Sequence, residues 1–227
     1  MIDCLALQNR MKGVIQAAFK MWAGVGKQQR TWLLTSALAS ALTFISLPAL
    51  AGAQKEEQLA DSIRTAMANA IADARPPRPH FDKIEDRIIY LNWLGEMSTR
   101  LKARHPNDQA RVEFLETIYY EASRAGLEPS LVLGLIEVES NFRKYAISIV
   151  GARGLMQVMP FWSRQIGDGD AGKLFHMQNN LRYGCTILRH YLDIEKGDLY
   201  LALGRYNGSR GKPEYPNAVQ RSWVHWK

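Results

Sequence analysis

Glu139 is the residue whose surroundings could do chemistry. Val132, Leu135, Ile136 and Glu139 recur at i, i+3, i+4 and i+7, so on a helix they share one face. Three of them are apolar and the fourth is a carboxylic acid. An acid on a core-facing stripe is costly unless it stays protonated or finds partners. It also falls near the helix C-terminus, where the dipole disfavours negative charge. Both effects raise its pKa, as a general acid working near neutral pH requires. The next stretch, 146–160, holds Gly151 and Gly154 and has no clear period. It reads as a loop that returns polar groups to the acid, chiefly Ser148 and Gln157. Glu137 lies two residues away and points nearly the opposite way, so it is expected to be a solvated or salt-bridged surface group.

These residues carry a resemblance. Glu139-Ser140 with Phe142, then the run from Val150 to Pro160 (VGARGLMQVMP), resemble the signature of the soluble lytic transglycosylase-like family. Asn179-Asn180-Leu181 with Gly184 is similar to the family's third motif, and Ala202 to Gly208 (ALGRYNG) to its fourth. The likeness spans 112–226. It implies an all-α, lysozyme-like catalytic domain with a substrate cleft, sometimes with a minor hairpin beside it. It implies an enzyme that cuts the β-1,4 bond between N-acetylmuramic acid and N-acetylglucosamine without water, leaving 1,6-anhydro ends. Glu139 would be acid and then base. Ser148, Gln157, Met159, Tyr206 and Asn207 would bind substrate, with Tyr206 and Asn207 closing over Glu139. The sequence departs from the commonest pattern at Ile149, Arg153 and Gly204-Arg205. Arg205 is free to bind a peptide-stem carboxylate or to face solvent.

Two other functions stay open. A hydrolytic muramidase would need a base to hold water, and Asp168 and Asp170 are the nearby candidates. An inactive peptidoglycan-binding scaffold would keep the cleft without the chemistry. No cofactor is implied, and no pair of His or Cys residues has metal-ligand spacing. The implied partners are peptidoglycan glycan strands, with a cell-envelope secretion or division machine beyond them. No nucleic acid is implied, and the protein is expected to be a monomer. The formal charge is +7; residues 1–51 contribute +4, leaving a mildly basic body, which suits a polyanionic surface such as peptidoglycan or nucleic acid or, as the plainer reading, a solvated soluble face.

The elements that must position the acid follow from periodicity and punctuation. Residues 31–53 are uncharged, follow Lys27 and Arg30, and contain the small-x-small site Ala49-Leu50-Ala51. Residues 1–51 therefore read as a signal peptide or leader for export to the periplasm, with an uncleaved membrane anchor as the alternative. Residues 52–82 read as a spacer, linker or loose helix, broken by the prolines at 76, 77 and 79. The catalytic domain is 83–227. Helices are expected at 83–104, with Ile84, Ile88, Leu91 and Leu94 inward; after Asn107 or Asp108, ending at Gly126; from Pro129 through Glu139; from Pro160 to Ile166; at 180–195, capped by Asn179; at 199–206, capped by Asp198; and from Pro216 onward. Residues 147–150 are the one candidate strand. Trp162 and Tyr145 could stack on sugars or fill the core, and Cys185 and Met156 read as buried.

Overall fold

The periodic stretches form helices where caps and prolines allow them. A computed structural model describes residues 54–73 and 78–227, all within one compact unit. The helices are α1 (Asp61–Ala72), α2 (Ile84–Leu101), α3 (Asp108–Arg124), α4 (Pro129–Ser140), α5 (Phe161–Ile166), α6 (Met177–Ile194), α7 (Leu199–Asn207) and α8 (Glu214–His225), with a 3₁₀ turn at Ala171–Phe175 before α6. Among the described residues pairing is limited to isolated bridges, Ile147 with Arg153 and Arg153 with Val158. The domain is all-α, and the strand expected at 147–150 is reduced to one bridge. The leader expected at 1–51 lies outside the described residues.

The capping signals at Asn107 and Asp198 act as expected. Asn107 accepts from the Ala110 amide and Asp198 from the Leu201 amide, satisfying donors that a helix start leaves unpaired. Pro129 opens α4, and Asn141 closes it in a left-handed conformation, φ 47°. α6 begins earlier than expected, at Met177, so Asn179 lies inside it rather than capping it. α8 likewise begins at Glu214, ahead of Pro216.

α4 is the central helix. Leu131 to Ile136 are buried all round, between α3 on one side and α8 on the other. The contact with α8 is close because position 134 is glycine. A Cβ there would stand 2.6 Å from the Trp223 amide nitrogen and 2.8 Å from its Cα. Glu137 ties the same two helices together: it accepts from Trp226 Nε1 at 2.8 Å, from the Ser222 hydroxyl, and from Arg104 at 2.6 Å. It is thus the salt-bridged group expected, but a partly buried one that clasps α8 to α4.

Two expectations are corrected. In α2 the buried face is Tyr90, Met97 and Leu101, while Ile84, Ile88 and Leu91 are exposed. This helix packs on α3, and the side toward that partner, not the richest aliphatic stripe, faces inward. The segment read as a spacer is docked. Gln54 is buried and accepts from Trp162 Nε1 at 2.9 Å. Leu59 and Met67 join the core, and α1 lies on α5 and α6. Arg182 of α6 donates to the carbonyls of Ile71 and Asp73, and Arg124 to that of Ala70. These cations satisfy carbonyls at the end of α1 that have no helical partner.

Candidate active site

Glu139 is 2% exposed. Its Oε1 accepts the hydroxyl of Tyr215, from the first turn of α8. Its Oε2 is buried without a hydrogen-bond partner among the described residues. Burial pushes the carboxyl up from its ordinary 4.5 to about 8, and the Tyr215 hydrogen bond pulls against that rise. The acid is therefore mostly neutral at neutral pH and can donate a proton. Leaving a buried carboxyl oxygen without a protein partner costs free energy, which the rest of the fold offsets.

Sequence reasoning missed Tyr215. It lies 76 residues from Glu139, in a segment marked only by the following proline. Tyr206, expected to reach the acid, instead donates its hydroxyl to the Met156 carbonyl at 2.8 Å. Its ring is fully buried, and the field of Glu139 helps hold its phenol protonated, after burial itself. Tyr206 thus stands beside the acid and anchors the loop.

The loop is built from local turns. Gly151 and Gly154 take positive φ, 86° and 76°, and a Cβ on Gly154 would fall 2.4 Å from the Asn180 amide nitrogen. Asn180 is the clamp: its Nδ2 donates to the carbonyls of Arg153 and Leu174, both at 2.8 Å, and its Oδ1 accepts the Met156 amide at 2.8 Å. The third motif therefore serves the second through this side chain.

The other expected site residues fall into two groups. Gln157 is buried, φ 48°, and its Nε2 donates to the carbonyls of Gly154 at 2.8 Å and Ala146 at 3.2 Å. That amide nitrogen is spent on the loop rather than on Glu139. Asn207 is buried and donates to the Ser209 hydroxyl at 3.0 Å. Ser148 and Met159 are half-buried. Ser148 Oγ accepts the Ala152 amide at 3.0 Å, and Met159 packs against the core. Met156 and Cys185 are buried, and burial raises the Cys185 thiol well above its ordinary value.

Several alternatives resolve. Trp162 is a core residue, whereas Tyr145 is exposed, its ring 6.1 Å from Phe175. Arg205 neither faces solvent nor waits for a ligand: it pairs with Glu195 and, at 3.3 Å, with Glu57. Asp168 holds Lys173 and the Asp170 amide, while Asp170 caps the Gly172 amide. Among the described residues no cluster of three His, Cys, Asp or Glu side chains could hold a metal ion.

A helical domain that buries one neutral carboxyl beside a glycine-bent loop is arranged for proton transfer in a site shielded from water. Comparison with known proteins defines the family. The model of the transglycosylase SLT domain matches residues 116–221, and over this stretch the chain belongs to that family. A membrane-bound lytic murein transglycosylase C of Actinobacillus pleuropneumoniae serotype 5b is 40% identical over 110 residues, 48% of this chain and 28% of the relative. One from Haemophilus ducreyi is 32% identical over 179 residues, 72% of this chain and 48% of the relative. A transglycosylase of Enterobacteria phage PRD1 is 33% identical over 118 residues, 49% of this chain and 43% of the relative. The chain spans less than half the length of these relatives. An inactive mutant of the lytic transglycosylase Slt from Pseudomonas aeruginosa aligns with 62% of this chain and 25% of its own, at 25% identity and a TM-score of 0.39.

Proposed function

We propose that the protein is a peptidoglycan lytic transglycosylase with Glu139 as its single acid–base group. The observation that carries this reading is Glu139 itself: a buried carboxyl raised to about 8, inside the SLT match. Ordinary glycosidases divide the work between two carboxylates. Here Asp168 and Asp170 are engaged elsewhere, which favours a mechanism that needs one.

Glu139 donates its proton to the glycosidic oxygen as the C1–O bond of N-acetylmuramic acid breaks. The sugar's own acetamido group supports the positive charge at C1. The resulting carboxylate then takes the proton of the C6 hydroxyl, and O6 bonds to C1. This closes the 1,6-anhydro ring and restores the neutral acid. A pKa near working pH suits a group that must give and retake one proton. Tyr215 orients the carboxyl and steadies its charged form. Tyr206, Gln157 and Asn207 hold the loop and the end of α7, while Met159 and the hydroxyl hydrogen of Ser148 contact sugar. Export through the 1–51 leader would bring the enzyme to the periplasm. The relatives, named as membrane-bound lytic murein transglycosylases, agree with an envelope setting.

Digestion of purified wall sacculi followed by mass spectrometry tests the proposal. Anhydro-muramic ends are expected. Reducing muramic ends would mean transfer to water, and no release at all would mean an inactive glycan-binding scaffold.

A further inference from the structure

The turn beside the site holds hydrocarbon in water. Tyr145, Ile147, Ile149 and Val150 are 71%, 65%, 99% and 52% exposed. This is an ordered tip. The Ser148 amide donates to Ala152 O at 3.0 Å, the Gly151 amide to Ser148 O at 2.9 Å, and the Gly154 amide to Ala146 O at 2.9 Å. The Ser148 hydroxyl adds the bond from Ala152 at 3.0 Å. The backbone thus presents the aliphatic side chains outward instead of letting them fold back. An ordered apolar patch kept in water marks a surface with a partner.

Charge says which partner. Between Glu139 and Asp168 the chain carries no acid and four cations; Arg164 pairs with Glu56 at 3.8 Å and Arg153 donates to the Ala171 carbonyl at 2.8 Å, which leaves Arg143 and Lys144 at the tip. Arg143 and Lys144 are exposed beside the tip, the Lys144 ammonium 5.4 Å over the Tyr145 ring. Glu113 is the one acid on the neighbouring wall, across the groove that Lys144, Tyr145 and Phe175 line. Glycans are recognised by stacking and hydrogen bonds, but Ile147, Ile149 and Val150 offer only branched hydrocarbon. An apolar tip flanked by two exposed cations matches a bilayer interface: the aliphatic groups enter the acyl boundary, and the cations stay with anionic headgroups.

We propose that the 145–150 turn docks the protein onto an anionic phospholipid bilayer, independently of the leader. Docking would hold the loop next to Glu139 against membrane-proximal glycan.

A probe local to the tip tests this in the full chain. Ile149→Cys is combined with Cys4→Ser, Cys185 being buried, and labelled with an environment-sensitive fluorophore. Vesicles of phosphatidylglycerol and phosphatidylcholine in equal parts should shift the emission to the blue and shield the probe from acrylamide. Pure phosphatidylcholine should do neither. Adding Arg143→Glu with Lys144→Glu should weaken the response about tenfold or more, because each basic group near the surface contributes to anionic-lipid binding. An unshifted probe on vesicle-bound protein, or an equal shift with phosphatidylcholine, overturns the proposal. So does a shift produced by chitopentaose and not by vesicles, which would make the turn a glycan wall. None of these readouts uses turnover, so the proposal stands or falls separately from the enzymatic reading.

Discussion

Glu139→Gln separates the chemistry of this carboxyl from its cost to the fold. Glutamine keeps the shape and still accepts from Tyr215, but it cannot give up and retake a proton. General acid–base groups contribute about 10²–10⁴-fold in rate. One group serves both steps here, so cleavage should fall by the upper figure or more. Stability should move the other way. The folded carboxyl titrates at about 8 against 4.5 unperturbed, so between those pH values the folded state holds more protons than the unfolded one. Stability is therefore complete below about pH 4.5 and declines as pH rises toward 8. At 1.36 kcal/mol per unit the decline is about 5 kcal/mol at most, and about 3 kcal/mol by pH 7. The variant has nothing to titrate, so it should gain on the wild type across this range. The widening gap in Tm between pH 5 and pH 8 should be on the order of 10 °C. Paired thermal unfolding of the two proteins at stepped pH measures it, and the difference cancels every other titrating group. A constant gap would refute the buried neutral acid. Cleavage of sacculi by the variant within tenfold of wild type would refute its catalytic role.

Tyr215→Phe removes the bond that lowers the Glu139 pKa, so the alkaline limb of the kcat profile should move to higher pH and kcat should drop about tenfold; pH-rate measurements check both. Arg182→Ala leaves Glu121 buried without its closest cation, 2.9 Å away. Burial already pushes that carboxyl up despite its arginines, so the loss should be about 3–5 kcal/mol in denaturant unfolding, with faster amide exchange along α1. Gly134→Ala drives a methyl into the backbone of α8 and should cost about 1–3 kcal/mol, read as a lower denaturation midpoint at unchanged slope. Glu137→Gln should leave cleavage within a few fold while lowering Tm, because it weakens the clasp between α4 and α8 without touching Glu139; sacculus digestion beside thermal unfolding measures both.

What the sequence alone determined here is what depends on near neighbours. The face shared by Val132, Leu135, Ile136 and Glu139 follows from spacing, and all four are buried. The caps at Asn107 and Asp198 follow from side chains that reach amides three residues on. Leu181, Gly184, Cys185, Leu188, Tyr191 and Leu192 recur at helical spacing, and all six are buried. Only the tertiary structure decided who meets whom. The partner of Glu139 is Tyr215 and not Tyr206, because α8 crosses α4 where Gly134 lets it approach. Asn180 looked like part of a helix start and is the clamp on the loop. The supposed spacer is docked through Gln54, 108 residues from Trp162. The inner face of α2 was misjudged because hydrophobicity marks what could be buried, whereas the neighbouring helix selects what is. Such contacts join residues with no local relation in the chain, so periodicity and capping carry no signal for them.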